Sequence, residues 1–515
     1  MPDYMYMLES RLSAEQRAVL ARMQELAVET STNVYLTGGG VRDLISGMSI
    51  RDLDFTVEGN PSRFARELEK GGGRVVDEDE KLRHVEMIFS GDVDGSIEAA
   101  REEVYARPGV RPEMRWSTIM EDLRRRDFSL NAIAISLNAA SRGLLLDPTN
   151  GLADLETREV RALSIHSFTN QPVRVLRAIR YCARMEFKLE SRTEDWFNLA
   201  LERGLQESIA PGEAGGELRQ LAREDKPVQI LKAWEARGLL EPISPQLAKR
   251  HPHYEMLARI LRARDDLAAS GIRPRLFAPI TYAALGKLKD REVSSALHRL
   301  EYRQADIEAV TGLEERAQKV VAMLAGRKTA APGEAYAFLE KAPADLLAFI
   351  MAESSNSKAV GKIRTYLNKW RPLRQALPAA ILELESIGMA HGPKFDKVIE
   401  DLFQAQLQGK ARNPELRIKL LRKLSGIKEA PKKKIDEKDR KKLAEKAKKK
   451  LTGKPSTAGS VPAPGAAPVE SSKAAETLAR LQAARKGKAA AAATPPPAKV
   501  TKPIAKPKAS AARKR

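Results

Sequence analysis

Residues 34–57 read VYLTGGGVRDLISGMSIRDLDFTV. An apolar, strand-like run carrying Val34 and Leu36 breaks at Gly38, Gly39 and Gly40, and the chain resumes as a short helix bearing Arg42 and Asp43. A turn at residues 46–49 leads into a second strand on which Asp52 and Asp54 stand two residues apart. Side chains alternate along a strand, so both carboxylates are expected on one face. Glycines without Cβ atoms let the backbone approach a polyanion, a helix N-terminus offers unpaired N–H groups, and Arg42 adds fixed positive charge. Paired carboxylates opposite suit Mg²⁺ held against the same phosphates. A nucleoside triphosphate satisfies both halves, whereas a glycine turn in an α/β sheet with two solvated aspartates accounts for either half alone.

Upstream, residues 12–30 carry Val19, Leu20, Met23, Leu26 and Ala27 at helical spacing, which predicts an amphipathic helix beside the first strand. Downstream, GNPSRFARELEKGGG reads as turn, short helix and glycine stop, followed by strands at 74–76 and 84–89. The turn SGDVDG then reverses the chain into a strand at 96–100. Nucleotidyl transfer generally uses a third carboxylate near the attacking hydroxyl. Glu98 is the candidate, with Asp94, of the same strand parity, as the alternative.

The segment EDLRRRDFSLNAIAIS (121–136) starts charged and ends as an apolar strand, so Arg125, Arg126, Asp127 and Asn131 fall at an entry to the sheet. Arginines suit triphosphate oxygens, and Asp127 with Asn131 can hydrogen-bond ribose hydroxyls. LDPTNGLADL (146–155) reads as turn chemistry leading into a connector. A helix then begins near Pro172, with Arg174, Arg177, Arg180 and Arg184 on a broad basic face that would ordinarily be solvated.

With 515 residues the chain is too long for one core, and 43% apolar content supplies several. A single cysteine, Cys182, excludes a disulfide framework or a cysteine-ligated metal cluster and suits a reducing, cytoplasmic setting. The six histidines show no metal-ligand spacing, and no stretch is long and apolar enough to span a membrane. The net charge of +21 is concentrated at one end. From Gly426 onward there are 25 Lys/Arg against 7 Asp/Glu, leaving 64 against 61 before it. That Lys/Ala/Pro-rich tail has no aromatic residues, so it is expected to be disordered, with a transient helix around residues 473–488; salt-sensitive RNA affinity, solubility or association with another polyanion accounts for it equally well.

In this order and at these separations, TGGGVRD with DLD, RRRDFSLNA, DPTNGLADL and SFTNQPVRVLRAIRYCARMEF resemble the bacterial-type (class II) nucleotidyltransferases: tRNA CCA-adding enzymes, their CC-adding and A-adding relatives, and bacterial poly(A) polymerases. The resemblance is strong over about residues 30–190. It is weaker through LKAWEARGLLEPISPQL and LESIGMAHGPKFDKVIEDLFQAQLQGK, the latter similar to the C-terminal region of tRNA-directed members. It implies an α+β fold: a small polymerase-β-like head with a mixed sheet (1–165), a helical neck (166–245), a helical body and tail (246–425), and the basic terminus (426–515). It further implies a two-metal Mg²⁺ site at Asp52 and Asp54, with Gly38, Gly39 and Arg42 at the triphosphate and Asp127 at the ribose; Asp43, Arg126 and Asn131 are further nucleotide-binding candidates. Arg174 would read the base, and Arg177 and Arg180 would face phosphate.

The chain departs from the family pattern in three places. Asn170 and Gln171 stand where two acids are usual, so the amides both donate and accept. Ala214 follows Glu213, in the loose sequence SIAPGEAGGEL, where an arginine is usual. The strand holding Glu98 reaches REEVYARPG two residues early. The resulting expectation is template-independent extension of an RNA 3′ end with CTP or ATP, at the tRNA acceptor end. Poly(A) addition and a catalytically weakened RNA-binding protein on the same fold are the alternatives.

Overall fold

The computed structural model describes residues 3–106, 112–411 and 413–427, all within one compact unit, Met1–Glu429. The basic tail and its expected transient helix lie outside the described residues. The chain opens with helices α1 (Tyr4–Arg11) and α2 (Ala14–Thr30), the second started by a capping box between Ser13 and Gln16. There follow β1 (Val34–Thr37), α3 (Gly39–Ile45), β2 (Leu53–Val57), α4 (Pro61–Lys70), β3 (Arg74–Asp79), β4 (His84–Phe89) and β5 (Val93–Ala99). A hairpin of β6 (Arg101–Val104) and β7 (Glu113–Trp116), α5 (Ile119–Arg125), β8 (Ala134–Ser136) and β9 (Leu145–Leu146) complete the sheet-bearing part.

Seven strands form one sheet in the order β3-β4-β5-β2-β1-β8-β9. Only the central β2–β5 pair within it is parallel, with Asp54 opposite Ser96 and Thr56 opposite Glu98. That register sorts the two faces. Leu53, Phe55, Val57 and Ile97 turn into the core against Val19, Leu20 and Met23 of α2 and Phe64 of α4. Each such fully buried side chain contributes about 1.5–3 kcal/mol. The opposite face carries Asp54, Thr56, Ser96 and Glu98, so alternation along two neighbouring strands collects the polar groups.

After β9 come α6 (Gly151–Thr157), β10 (Glu159–Val160), α7 (Ser167–Asn170), α8 (Arg174–Met185), β11 (Lys188–Leu189), α9 (Ser191–Glu202), α10 (Pro211–Arg223) and α11 (Pro227–Glu235). From 245 to 425 the described residues are helices joined by short turns, as their repeated Gly and Pro punctuation leads one to expect.

Several local expectations change. The reversal before β5 is shorter than SGDVDG, because Val93 already pairs with Phe89. Asp52 precedes β2 instead of lying on it. The connector at 151–157 is a helix, started by the Asp147 carboxylate, which accepts from the N–H groups of Gly151 and Leu152 at 2.8 and 2.9 Å. The loose sequence around Glu213 is also helical: Pro211 occupies its first turn, and Gly215 lets the backbone close on the Leu300 carbonyl, 2.1 Å from where a Cβ would stand.

Gly95 is needed in the same way. A Cβ there would stand 2.1 Å from the Leu53 carbonyl oxygen and 2.6 Å from the Phe89 ring. Gly95→Ala is therefore expected to cost about 1–3 kcal/mol. Gly216→Ala, in α10 with nothing within 4 Å of the added carbon, is expected to stabilise by up to about 1 kcal/mol. Urea unfolding of the two variants beside the wild type checks both signs.

Candidate active site

The polar face of the sheet forms one wall of a cavity of about 1030 Å³, and α8 and α10 form another. Asp52, Asp54 and Glu98 all line it. Asp54 accepts from the Ser96 hydroxyl at 2.7 Å. Burial, and then the neighbouring Asp52 charge, push its carboxyl up to about 7. Asp94 pairs with Arg275 at 3.3 Å and is not among the residues that line the cavity.

Glu98 is held differently. Its carboxylate accepts from Arg126 at 2.7 Å and Arg101 at 3.2 Å. Burial alone would raise its pKa, but Arg126, Arg101 and Arg125 carry it well below the usual carboxylate range. Glu98 is therefore held as a carboxylate by its arginine partners. Arg126 also donates to Asp122 at 2.8 Å and Thr56 at 3.0 Å, and Arg125 donates to Asp122 and Glu103. Both arginines thus reach the cavity from a buried carboxylate cluster that includes Asp122 and Glu103, which the sequence reading did not single out.

At the glycine end, Gly38 adopts φ +66°, while Gly39 and Gly40 are already in α3. With only seven residues, α3 supplies a weak dipole, so positive charge here comes mainly from Arg42 and Arg126. Gly38, Gly39, Arg42, Asp127, Asn131 and Arg174 all line the cavity, as do Asn170, Gln171, Arg177 and Arg180. Asp43 does not: it is buried, 1% exposed, between Arg42 and Arg184.

The basic helix is where the expectation of a solvated face fails most plainly. Arg174, Arg180 and Arg184 are buried; Arg174 donates to Ser167 at 2.9 Å, and the carboxylate partners of Arg180 and Arg184 lie far away in sequence. Arg42 donates to Asn131 at 2.7 Å, and Asn131 donates to Asp127 at 3.2 Å. Arg177 bridges Asp127 and Glu217, each at 2.8 Å, and Arg180 bridges Glu217 and Glu224, each at 2.8 Å. Arg184 joins Glu224 at 3.4 Å to Asp43 at 2.6 Å, and Asp43 returns to Arg42 at 2.9 Å. The nine residues form a closed ring with four arginines and four carboxylates. Arg51, next to Asp52, joins it through Glu224 at 3.1 Å. Glu217 and Glu224 stand seven residues apart, two turns of α10, with Glu224 at its C-terminal cap, a spacing that places both toward α8.

Residues 34–161 match the family model described as the poly A polymerase head domain. The matched stretch contains the glycine turn, the aspartate pair and the segment 121–136 on which the resemblance rests. Among similar proteins, an A-adding tRNA nucleotidyltransferase of Geobacter sulfurreducens is 26% identical over 81% of this chain and 48% of its own length. One of Aquifex aeolicus is 37% identical over 41% of this chain and 25% of its own, and one of Halalkalibacterium halodurans 34% over 45% and 56%. The chain thus spans from a quarter to just over half the length of these relatives. A solved CCA-adding enzyme in an apo form aligns with 81% of this chain and 98% of its own at 24% identity, with a TM-score of 0.45.

The ring yields a pH prediction. Burial pushes the Asp127 carboxyl up, but Arg177 and Arg174 more than offset this and bring it from 3.8 to about 2. A folded-state value below the unfolded one adds stability above pH ~4 that is lost as pH falls through ~2. Asp127→Asn is expected to cost about 2 kcal/mol at pH 7, with the gap to wild type closing between pH ~4 and ~2. Denaturant titrations across that range check it.

Proposed function

We propose that this protein is a template-independent nucleotidyltransferase that adds nucleotides of the CCA end to tRNA, using ATP or CTP. The observation that carries the reading is the Asp52–Asp54 pair, placed on one cavity wall opposite a row of arginines anchored by buried carboxylates. Names of the A-adding relatives favour tRNA as the RNA and the terminal adenosine as one of the additions. In this reading residues 1–165 act as the catalytic head, 166–245 select the nucleotide, 246–425 hold the RNA, and the basic residues from 426 onward add salt-sensitive affinity. The chain works in the cytoplasm; among the described residues no helix is long and apolar enough to cross a membrane.

The carboxylate pair suits Mg²⁺. Burial beside Asp52 raises the Asp54 carboxyl, and a divalent cation would relieve both the repulsion and the desolvation. Among the described residues no three His, Cys, Asp or Glu side chains are grouped to enclose a metal. Mg²⁺ takes one or two carboxylates and completes its shell with phosphate and water. Asp52 and Asp54 would hold it, and bound there it supplies positive charge to the attacking oxygen and the departing pyrophosphate.

The chain's own groups do the rest by positioning. Gly38 keeps the wall open for the triphosphate, and Arg42 and Arg126 neutralise its oxygens. Asp127 and Asn131, fixed by Arg177 and Arg42, hydrogen-bond the ribose. Arg177 and Arg180 use two N–H groups each in the ring, leaving donors for phosphate. Glu98 fixes Arg126 and adds negative charge beside the aspartate pair.

The test is incubation of the full chain and Mg²⁺ with tRNA lacking CCA, tRNA ending in CC, and an unstructured oligonucleotide, against CTP and ATP. Extension of tRNA that stops at CCA is expected. Asp52→Ala and Asp54→Ala should each slow it by about 10³-fold or more, since charge stabilisation at such a site is worth several kcal/mol. A long adenylate ladder on the oligonucleotide would make it a poly(A) polymerase instead. No aspartate-dependent extension on any RNA would overturn the catalytic reading and leave an RNA-binding protein.

A further inference from the structure

Resting on that reading, we propose that Tyr105 is the positioning residue that sets base selectivity, by turning the Gln171 amide so that it accepts a hydrogen bond from the exocyclic amine of cytosine or adenine. Neither residue type decides this alone. A glutamine amide presents a donor or an acceptor with equal ease, and nothing in its own chemistry chooses.

The neighbours choose. Glu103, on β6, has one carboxylate oxygen on Arg125 at 2.7 Å and the other on the Tyr105 hydroxyl at 2.7 Å. Its side chain is 6% exposed and ion-paired, so it can only accept, and the tyrosine must donate to it. The Tyr105 oxygen is then left with acceptor capacity alone. Gln171 contacts that oxygen at 2.5 Å and must donate through its amide nitrogen. The amide's acceptor, Oε1, is thereby committed away from Tyr105, on a residue that lines the cavity.

A second group on the same wall completes a two-point edge. Nε of Arg174 is buried with no hydrogen-bond partner among the described residues, and Arg174 lines the cavity at 7% exposure. An acceptor beside a donor matches cytosine (N4 amine, N3) and adenine (N6 amine, N1). Uracil and guanine put a carbonyl where the amine would be, facing Oε1, so two acceptors oppose each other and neither is satisfied. This device supplies the acceptor that an acidic residue would otherwise give at 170–171. It also explains why a tyrosine from a head hairpin reaches the start of the α8 region.

The test is equilibrium binding of CTP, ATP, UTP and GTP, with Mg²⁺, to the full chain as wild type, Tyr105→Phe, and Tyr105→Phe combined with Gln171→Glu. The wild type is expected to prefer CTP or ATP over UTP and GTP. Tyr105→Phe frees the amide to turn and should lower that preference about tenfold. Adding Gln171→Glu, an acceptor whichever way it turns, should restore it, which a merely structural defect would not allow. If Tyr105→Phe fails to fold, Gln171→Leu should lower the preference alone. An unchanged ratio in Tyr105→Phe, equal weakening of all four nucleotides with no recovery in the double variant, or no preference in the wild type would overturn the assignment. Because binding is read and not transfer, a chain that selects amine-bearing bases yet extends no RNA would sink the proposed activity while leaving this inference standing.

Discussion

The cavity depends on one closed circuit of charge: Arg42, Asn131, Asp127, Arg177, Glu217, Arg180, Glu224, Arg184 and Asp43, each bonded to the next. It ties α3 and the segment after α5, both from the sheet-bearing part, to α8 and α10. Isolated arginines at such depth would carry a desolvation penalty of several kcal/mol each. Alternating four of them with four carboxylates makes the row tolerable. It also fixes where the remaining N–H groups point. Two of the guanidiniums stack on the Tyr181 ring, at 5.0 and 4.8 Å, which further limits their freedom.

The two walls therefore differ in kind. On the sheet wall, negative charge is concentrated and part of it is unneutralised, with Asp54 raised beside Asp52. On the helical wall, the positive charge of Arg177, Arg180 and Arg184 is already paired. A ligand carrying both a polyanion and a cation answers each wall, and a nucleoside triphosphate with Mg²⁺ is such a ligand. The hairpin of β6 and β7 adds the third element, a hydrogen-bond chain that settles the direction of an otherwise ambiguous amide.

Much of the sheet was legible because its signals are local. Alternation marked β2, β4 and β5, glycines marked the turn before α3, and helical spacing marked α2. The Arg174, Arg177, Arg180, Arg184 spacing was legible too, and so was the Asp52 and Asp54 pair that lines the cavity. The partners of those arginines were not, since Glu217 and Glu224 lie 40 and 44 residues from Arg177 and Arg180. Nothing local separates a buried ion-paired arginine from a solvated one. Helix α10 was obscured by three glycines in its first turns, of which Gly215 packs against the Leu300 carbonyl. Asp43 was misplaced because its sequence position, beside Arg42, suggested a role at the triphosphate that its burial precludes.

If the circuit organises the site, its most exacting member is Glu217, 3% exposed and shared between Arg177 and Arg180. The decisive measurement is Glu217→Gln, followed by denaturant unfolding and by ATP and CTP affinity in Mg²⁺. Removing one charge from a buried network leaves its partners uncompensated, so the account predicts a loss of about 3 kcal/mol in stability. It also predicts nucleotide binding at least about tenfold weaker, a difference of about 1.4 kcal/mol. A Glu217→Gln protein with wild-type stability and wild-type nucleotide affinity would contradict it.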